Sequence, residues 1–531
     1  MQTNPSLSLS SPDVRHLTAT HKIALALVGL SLLIIVNALF GGAEGMEGPM
    51  LWTLLASLGG GILLYAYAEY GNKPAGIKNN GVWFFSETAR GSAGWVMGVV
   101  LTLFYVALYW FPEWLGLRSE GANTGLVALF NPLSYLLSGQ AASQWFVYGT
   151  FYTLAILAMG GKFIWKYRHN TYQIVRTSSV MFFQLGFAFL IPEFMARLNS
   201  TPEIQSLDVS VPYYDFKNMW PLNYYNFDGY RIDAMTNDGL NALTHNLGFI
   251  MLAIGIGSVF IISPILTYFF GKRWYCSWVC GCGGLAETAG DPYRHLSDKS
   301  VKAWKIERWL IYSVLALAVI MTVAVVFGYL GERTDQGFWI TKQVFTGIVA
   351  VTLLGLTTLL WTRPRIFGSI ELSIKILASV LMVGITGLTV WALVSGSQQV
   401  FFMDAYPLRK WYGFFIGATF SGVVGVGFYP LMGSRVWCRF GCPMAAILGL
   451  QQRFFSKFRI TTNSGQCISC GNCSTYCEMG IDVRAYAQKG QNIVRSSCVG
   501  CGICAAVCPR GVLKLENGPD SGESRMDSVL F

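Results

Sequence analysis

The chain has 531 residues, 53% of them hydrophobic and only 12% charged, with a net charge of +10. Soluble domains carry about 25% charged residues, so the composition argues against an ordinary soluble enzyme. The basic residues gather in loops between long apolar runs, the pattern of a membrane protein's inner side rather than of a nucleic-acid-binding surface.

Residues 1–22 are polar and precede the first apolar run, so they read as a cytoplasmic N-terminal segment followed by an uncleaved span. About ten runs are long enough to cross a hydrocarbon core about 30 Å thick. They are Ile23–Phe40, Met50–Tyr67, Ala93–Phe111, Trp145–Gly161, Thr177–Pro192, Leu247–Phe270, Trp309–Leu330, Val344–Trp361, Ile376–Val394 and Trp411–Met432. Lys and Arg follow the even-numbered runs, as in Lys162, Lys166, Arg168 and Arg176 after the fourth and Lys272, Arg273 and Arg294 after the sixth. This charge bias predicts that both termini and every cysteine face the cytoplasm of a bacterial inner membrane.

Residues 23–240 form an N-terminal membrane region. Within it an external loop, 197–240, is dense in aromatics such as Tyr213, Tyr214, Trp220 and Tyr225. Residues 241–443 form a second membrane region. Segment 444–459 (MAAILGLQQRFFSKFR) sets Ile447, Leu450, Phe454, Phe455 and Phe458 near one helical face, bordered by Arg453 and Lys457. It reads as an amphipathic helix on the inner leaflet. Residues 460–515 carry eight cysteines, and 516–531 form a polar tail of disordered character.

Cys467, Cys470, Cys473 and Cys477 form C-x₂-C-x₂-C-x₃-C, and Cys498, Cys501, Cys504 and Cys508 repeat it. This run binds two [4Fe-4S] clusters, with the fourth cysteine of each quartet crossing to the other cluster. Cluster 1 takes Cys467, Cys470, Cys473 and Cys508; cluster 2 takes Cys498, Cys501, Cys504 and Cys477. Paired zinc sites also use CxxC, but two consecutive quartets ending in x₃-C do not fit them. Glu478 stands where a proline usually follows the first quartet, as Pro509 follows the second.

Two further elements, GKRWYCSWVC (271–280) and GSRVWCRFGC (433–442), share G-x-R-x-[WY]-C-x₃-C. Each follows the end of a span arriving from outside. Cysteines at i and i+4 share a face if the segment is helical. Cys276, Cys280, Cys438 and Cys442 are thus candidates for a shared third site, holding iron–sulfur or another thiophilic metal. Unliganded thiols at helix ends are the plainer alternative, and Cys282 is an extra thiol without a counterpart. No C-x-x-C-H occurs, so c-type haem is not expected. Of the five histidines, His245 lies near the outer end of a span, where an interface hydrogen bond or a quinol deprotonation role suits it.

On these motifs the chain resembles the membrane polyferredoxin family of NapH- and NosR-type proteins, which includes a copper-handling branch linked to cytochrome oxidase assembly. The carrying residues are the paired C-x₃-C elements, one of them followed by Pro443, and the two-cluster segment. The resemblance covers about 247–515. It departs at Gly281, where the family pattern has proline.

The expected fold is mainly α: a polytopic helical bundle with a C-terminal bacterial-type two-cluster ferredoxin domain (α+β). The expected role is iron–sulfur electron transfer between a quinone pool or membrane partner and a cytoplasmic or periplasmic electron carrier, as one component of a quinol-linked oxidoreductase. The alternative is a maturation factor that reduces a metal ion such as copper for a respiratory enzyme.

Overall fold

The computed structural model describes residues 17–71, 91–199, 257–332, 340–367, 370–401 and 404–518. The N-terminal residues 1–16, most of the 197–240 loop, His245, the start of the sixth predicted span and the tail beyond 518 lie outside the described residues.

Seven helices among the described residues are long and apolar enough to cross a membrane: Ala19–Leu39, Glu47–Tyr70, Gln144–Lys166, Thr171–Leu198, Val301–Glu332, Lys342–Thr362 and Leu372–Val394. They are apolar around most of their circumference, with large side chains such as Leu33, Val351 and Val394 left outward. An all-round apolar helix whose outer face touches no protein is built for lipid. These residues form a multi-pass membrane protein by that criterion.

The remaining three predicted spans have local reasons for falling short. Ser92–Trp110 is helical, but its apolar stretch is only Gly94–Trp110. The sixth is described only from residue 257, with an apolar stretch Phe260–Phe270. The tenth is broken: Gly413–Val424 winds as a π-helix, a turn intervenes at 425–428, and Tyr429–Met432 resumes as a single turn. Gly425 and Gly427 permit that break, since a Cβ at either would fall within 2.3 Å of a preceding carbonyl oxygen.

The first two long helices form a tight hairpin. Gly61 lets the backbones approach, because a Cβ there would sit 3.0 Å from Ala24 O, and Ser31 and Ser57 share a 2.7 Å hydrogen bond. Small residues at such crossings supply close packing where lipid offers no hydrophobic driving force.

The segment predicted as one interfacial helix over 444–459 is shorter. The helix is Pro443–Phe455, and Phe458–Thr462 already forms a strand, β1. Its buried face is Ala445, Ala446, Leu448, Gly449 and Gln452, opposite the predicted apolar stripe. Gly449 presses on Ser496 O, where a Cβ would lie 2.5 Å away. The helix is therefore gripped by the cysteine-rich segment along its small-residue face, while Phe455 stays exposed. β1 pairs antiparallel with β2 (Leu513–Asn517), Ile460 opposite Leu515, so the two ends of the eight-cysteine segment close on each other.

Candidate iron–sulfur centre

The eight-cysteine segment is two copies of one local fold. Gly471, at φ 77° and ψ −3°, precedes the short helix Asn472–Thr475; Gly502, at φ 77° and ψ 0°, precedes Ile503–Ala506. Each glycine turns the chain through the left-handed region, where a Cβ is costly. Cys473 and Cys504 sit second in these helices, and the two helices pack together.

Cys467, Cys470, Cys473 and Cys508 line one recess. It draws three thiols from the first quartet and the last from the second. Cys477 lies within electrostatic reach of Cys498, and Cys504 within reach of Cys501, Cys498, Cys477 and Cys473.

Backbone hydrogen bonds reach the sulfurs: from Ser474 to Cys473, Ile481 and Met479 to Cys477, Gly500 to Cys498, and Ile503 to Cys501. Burial pushes Cys473 and Cys477 up to about 11 and Cys501 up to about 12. Bare thiolates are unfavourable there, so ligation has to displace protons as the metal binds. Among the described residues, no three His, Cys, Asp or Glu side chains are drawn tightly enough to hold a single ion. The N–H donors aimed at the sulfurs suit a cubane, whose potential such hydrogen bonds tune.

The paired C-x₃-C elements fold alike. Gly271 and Gly433 both have positive φ, of 66° and 96°. A short helix follows each, Arg273–Cys276 and Val436–Phe440. The next helix begins directly after the second cysteine, at Gly281 and at Pro443. The i,i+4 expectation does not hold. The Cys280 N–H donates to Tyr275 O at 2.8 Å and the Cys442 N–H to Trp437 O at 3.0 Å, a five-residue closure that ends the helix. Each pair therefore has one thiol on or at the end of one helix and one at the cap of the next.

The four thiols nevertheless converge. Cys276 is within electrostatic reach of Cys280 and Cys438, Cys438 of Cys280, and Cys442 of the other three. Burial pushes Cys276 up to about 12. Cys282 joins them: it shares a hydrogen bond with Cys280, which holds Cys282 below its ordinary value and Cys280 above it.

Gly281 departs from proline for a steric reason. A Cβ there would fall 2.6 Å from Gln184 Oε1. Gln184 is aimed at it by the π-helical turn Phe183–Leu190 and is anchored by a 3.1 Å bond to Thr153. π-turns often mark functional positions.

The cysteine-rich segment is seated on the membrane body by named bonds. Tyr172 OH donates to Gly500 O at 2.8 Å, Gln173 Nε2 to Cys501 O at 2.9 Å, and Ser277 Oγ lies 2.9 Å from Val499 O. Gln452 accepts from the Lys272 N–H and donates to Arg495 O and Cys498 O, all at 2.8 Å. Cys276 packs in the same apolar core as Phe458, Cys498 and Cys504.

Sequence reasoning missed the charges. Lys166, Arg176, Lys272, Arg294 and Arg435 read as solvated inner-loop cations, yet each is buried. Lys166 reaches Asp291 at 2.8 Å, and Asp291 reaches Arg294 at 3.0 Å. Arg294 reaches Glu478 at 2.6 Å, and Glu478 reaches Arg435 at 3.0 Å. Arg435 and Arg176 both pair with Glu287. Burial alone would push Asp291 up, but Lys166 and Arg294 hold its carboxyl well below the usual range. Glu478 is likewise held low by Arg294 and Arg435 against the effect of burial. The signals available were the arginine inside the repeated C-x₃-C motif and the glutamate replacing proline at 478.

Residues 459–509 match the 4Fe-4S dicluster domain family, and residues 252–305 and 413–461 match the 4Fe-4S binding domain family. The latter two stretches contain the paired C-x₃-C elements. Over 66 residues the chain is 35% identical to the putative electron transport protein YccM of Escherichia coli (strain K12), covering 12% of this chain and 18% of that protein. No solved structure matches the chain. These matches support an iron–sulfur electron-transfer role; they do not show the NapH/NosR-type family.

Proposed function

We propose that the chain is an inner-membrane electron-transfer protein that exchanges electrons between a quinone pool, or a membrane partner, and a redox partner at its cytoplasmic two-cluster domain. Cys467, Cys470, Cys473 and Cys508 hold one [4Fe-4S] cluster, and Cys477, Cys498, Cys501 and Cys504 the other. Cys276, Cys280, Cys438 and Cys442 form a third thiolate site. One-electron transfer is the chemistry that such clusters supply when bound.

The observation that carries this reading is the position of Lys272. It lies within electrostatic reach of Cys276, Cys498, Glu307 and Cys438, and Cys276 packs in one apolar core with Cys498. The membrane-edge thiols and the second quartet therefore share one buried environment. Fusion to the membrane body replaces diffusional encounter by a fixed neighbour. Gly471 and Gly502 turn the backbone so that N–H groups meet sulfur, and the helix Pro443–Phe455 holds the segment in place through Gln452.

The test is anaerobic stopped-flow reduction of the purified full chain by a short-chain quinol. Bleaching of iron–sulfur absorbance on quinol addition is expected, with loss of the coupling when Cys276, Cys280, Cys438 and Cys442 are all serine. An unchanged rate in that variant would overturn the membrane-edge role. Cluster oxidation by cuprous or cupric ion with no response to quinol would favour a maturation factor instead.

A further inference from the structure

We propose that the second quartet, Cys477, Cys498, Cys501 and Cys504, forms the higher-potential of the two C-terminal centres, because the membrane body presses a buried excess of cations against it. This rests on the reading that the eight cysteines hold two clusters. The contiguous ion network joins four cations, Lys166, Arg176, Arg294 and Arg435, to three carboxylates, Asp291, Glu287 and Glu478. Lys272 adds a further buried cation within electrostatic reach of both Cys276 and Cys498. Arg294 and Arg176 lie within electrostatic reach of Cys501, and Arg495 and Arg273 within reach of Cys498. Glu478 is the negative group facing both Cys477 and Cys501.

The first quartet has no such surround. Arg484 and Arg510 border its recess, but both are exposed, where water and salt screen them. Its Cys470 is exposed, whereas Cys498 and Cys504 are buried. Reducing a four-thiolate cubane adds one electron and one negative charge, with no bond made or broken. Fixed positive charge favours that change, and net charge is one of the terms that sets cluster potential. Burial alone acts the other way. The cations oppose it at short range in a weakly screening interior, each by on the order of tenfold in the reduction equilibrium. Glu478, standing where proline would be uncharged, trims the effect. The downhill direction then runs from the solvent-facing cysteines toward the membrane body.

The experiment is an EPR-monitored redox titration of the anaerobically purified full chain, reduced with dithionite, after iron and sulfide counting. In the unaltered protein the higher-potential signal should be the one that a soluble dysprosium chelate relaxes less, because it comes from the buried centre. Arg294→Gln should lower that wave about tenfold, or about 59 mV for one electron. Glu478→Gln should raise the same wave, and the lower wave should stay put in both. Opposite signs from the two variants separate charge from general loosening. Should either variant lose iron, the chelate measurement on the unaltered protein still decides. If the chelate acts mainly on the higher-potential signal, or if the waves ignore both charges, the inference is wrong. A protein without two cubanes by iron count would instead overturn the cluster reading beneath it.

Discussion

Gln452 offers the sharpest test of how the cysteine-rich segment is held. Its side chain is buried and makes three 2.8 Å bonds, accepting from the Lys272 N–H and donating to the carbonyls of Arg495 and Cys498. Gln452→Ala leaves one backbone donor and two acceptors without this partner, in a region closed to water. An unsatisfied buried group costs about 1–3 kcal/mol, so the change should weaken docking by about 3–5 kcal/mol. At about 1.4 kcal/mol per decade, the open state becomes about 10²- to 4 × 10³-fold more populated. Hydrogen–deuterium exchange on the full chain reads this directly. Amides of β1 and β2 should exchange faster by that factor, while the helix pair 19–39 and 47–70 is unchanged, because sub-global opening is local. Acceleration below about threefold at β1 and β2 would refute the reasoning and place the segment's anchorage elsewhere.

Gly502→Ala should cost more than Gly471→Ala although both have φ 77°: a Cβ at 502 meets Tyr172 at 2.8 Å, whereas at 471 its nearest neighbour is Arg484 at 3.8 Å. Iron retention should fall by about half in the first variant, one cubane of two, and stay near full in the second. Gly281→Ala should destabilise by about 1–3 kcal/mol through overpacking on Gln184, and Gln184→Ala in the same chain should recover part of it in a thermal-shift cycle. Asp291, with its folded-state pKa depressed, contributes stability that is full above its unfolded value of about 3.9 and is lost as pH falls further. Asp291→Asn should be less stable near neutral pH by about 3–5 kcal/mol, because Lys166 and Arg294 lose a buried partner. The gap should narrow in denaturation series taken below about pH 4.

The parts legible in the sequence were those written in local spacing. The two quartets specify turns within a dozen residues, and the structure folds them as near-identical halves around Gly471 and Gly502. The repeat G-x-R-x-[WY]-C-x₃-C likewise marked two segments that come together. What was not legible depended on distant partners. The i,i+4 reading of Cys276 and Cys280 failed because a carbonyl at Tyr275 captures the Cys280 N–H and ends the helix. The 444–459 helix ends early, at Phe455, and its glycine and alanine side packs on protein, a contact that periodicity of large residues does not reveal. Loop cations were read by the rule for inner loops alone, but Glu478 and Glu287, far away in sequence, draw several of them into a buried network.

The central claim is that the eight C-terminal cysteines carry two cubanes independently of the paired thiols at the membrane edge. Iron and acid-labile sulfide should be counted in the anaerobically purified full chain with Cys276, Cys280, Cys438 and Cys442 replaced by serine. About eight irons and about eight sulfides should remain, four of each per cubane. A variant that retains fewer than about four irons, or that holds zinc in their place, contradicts the account.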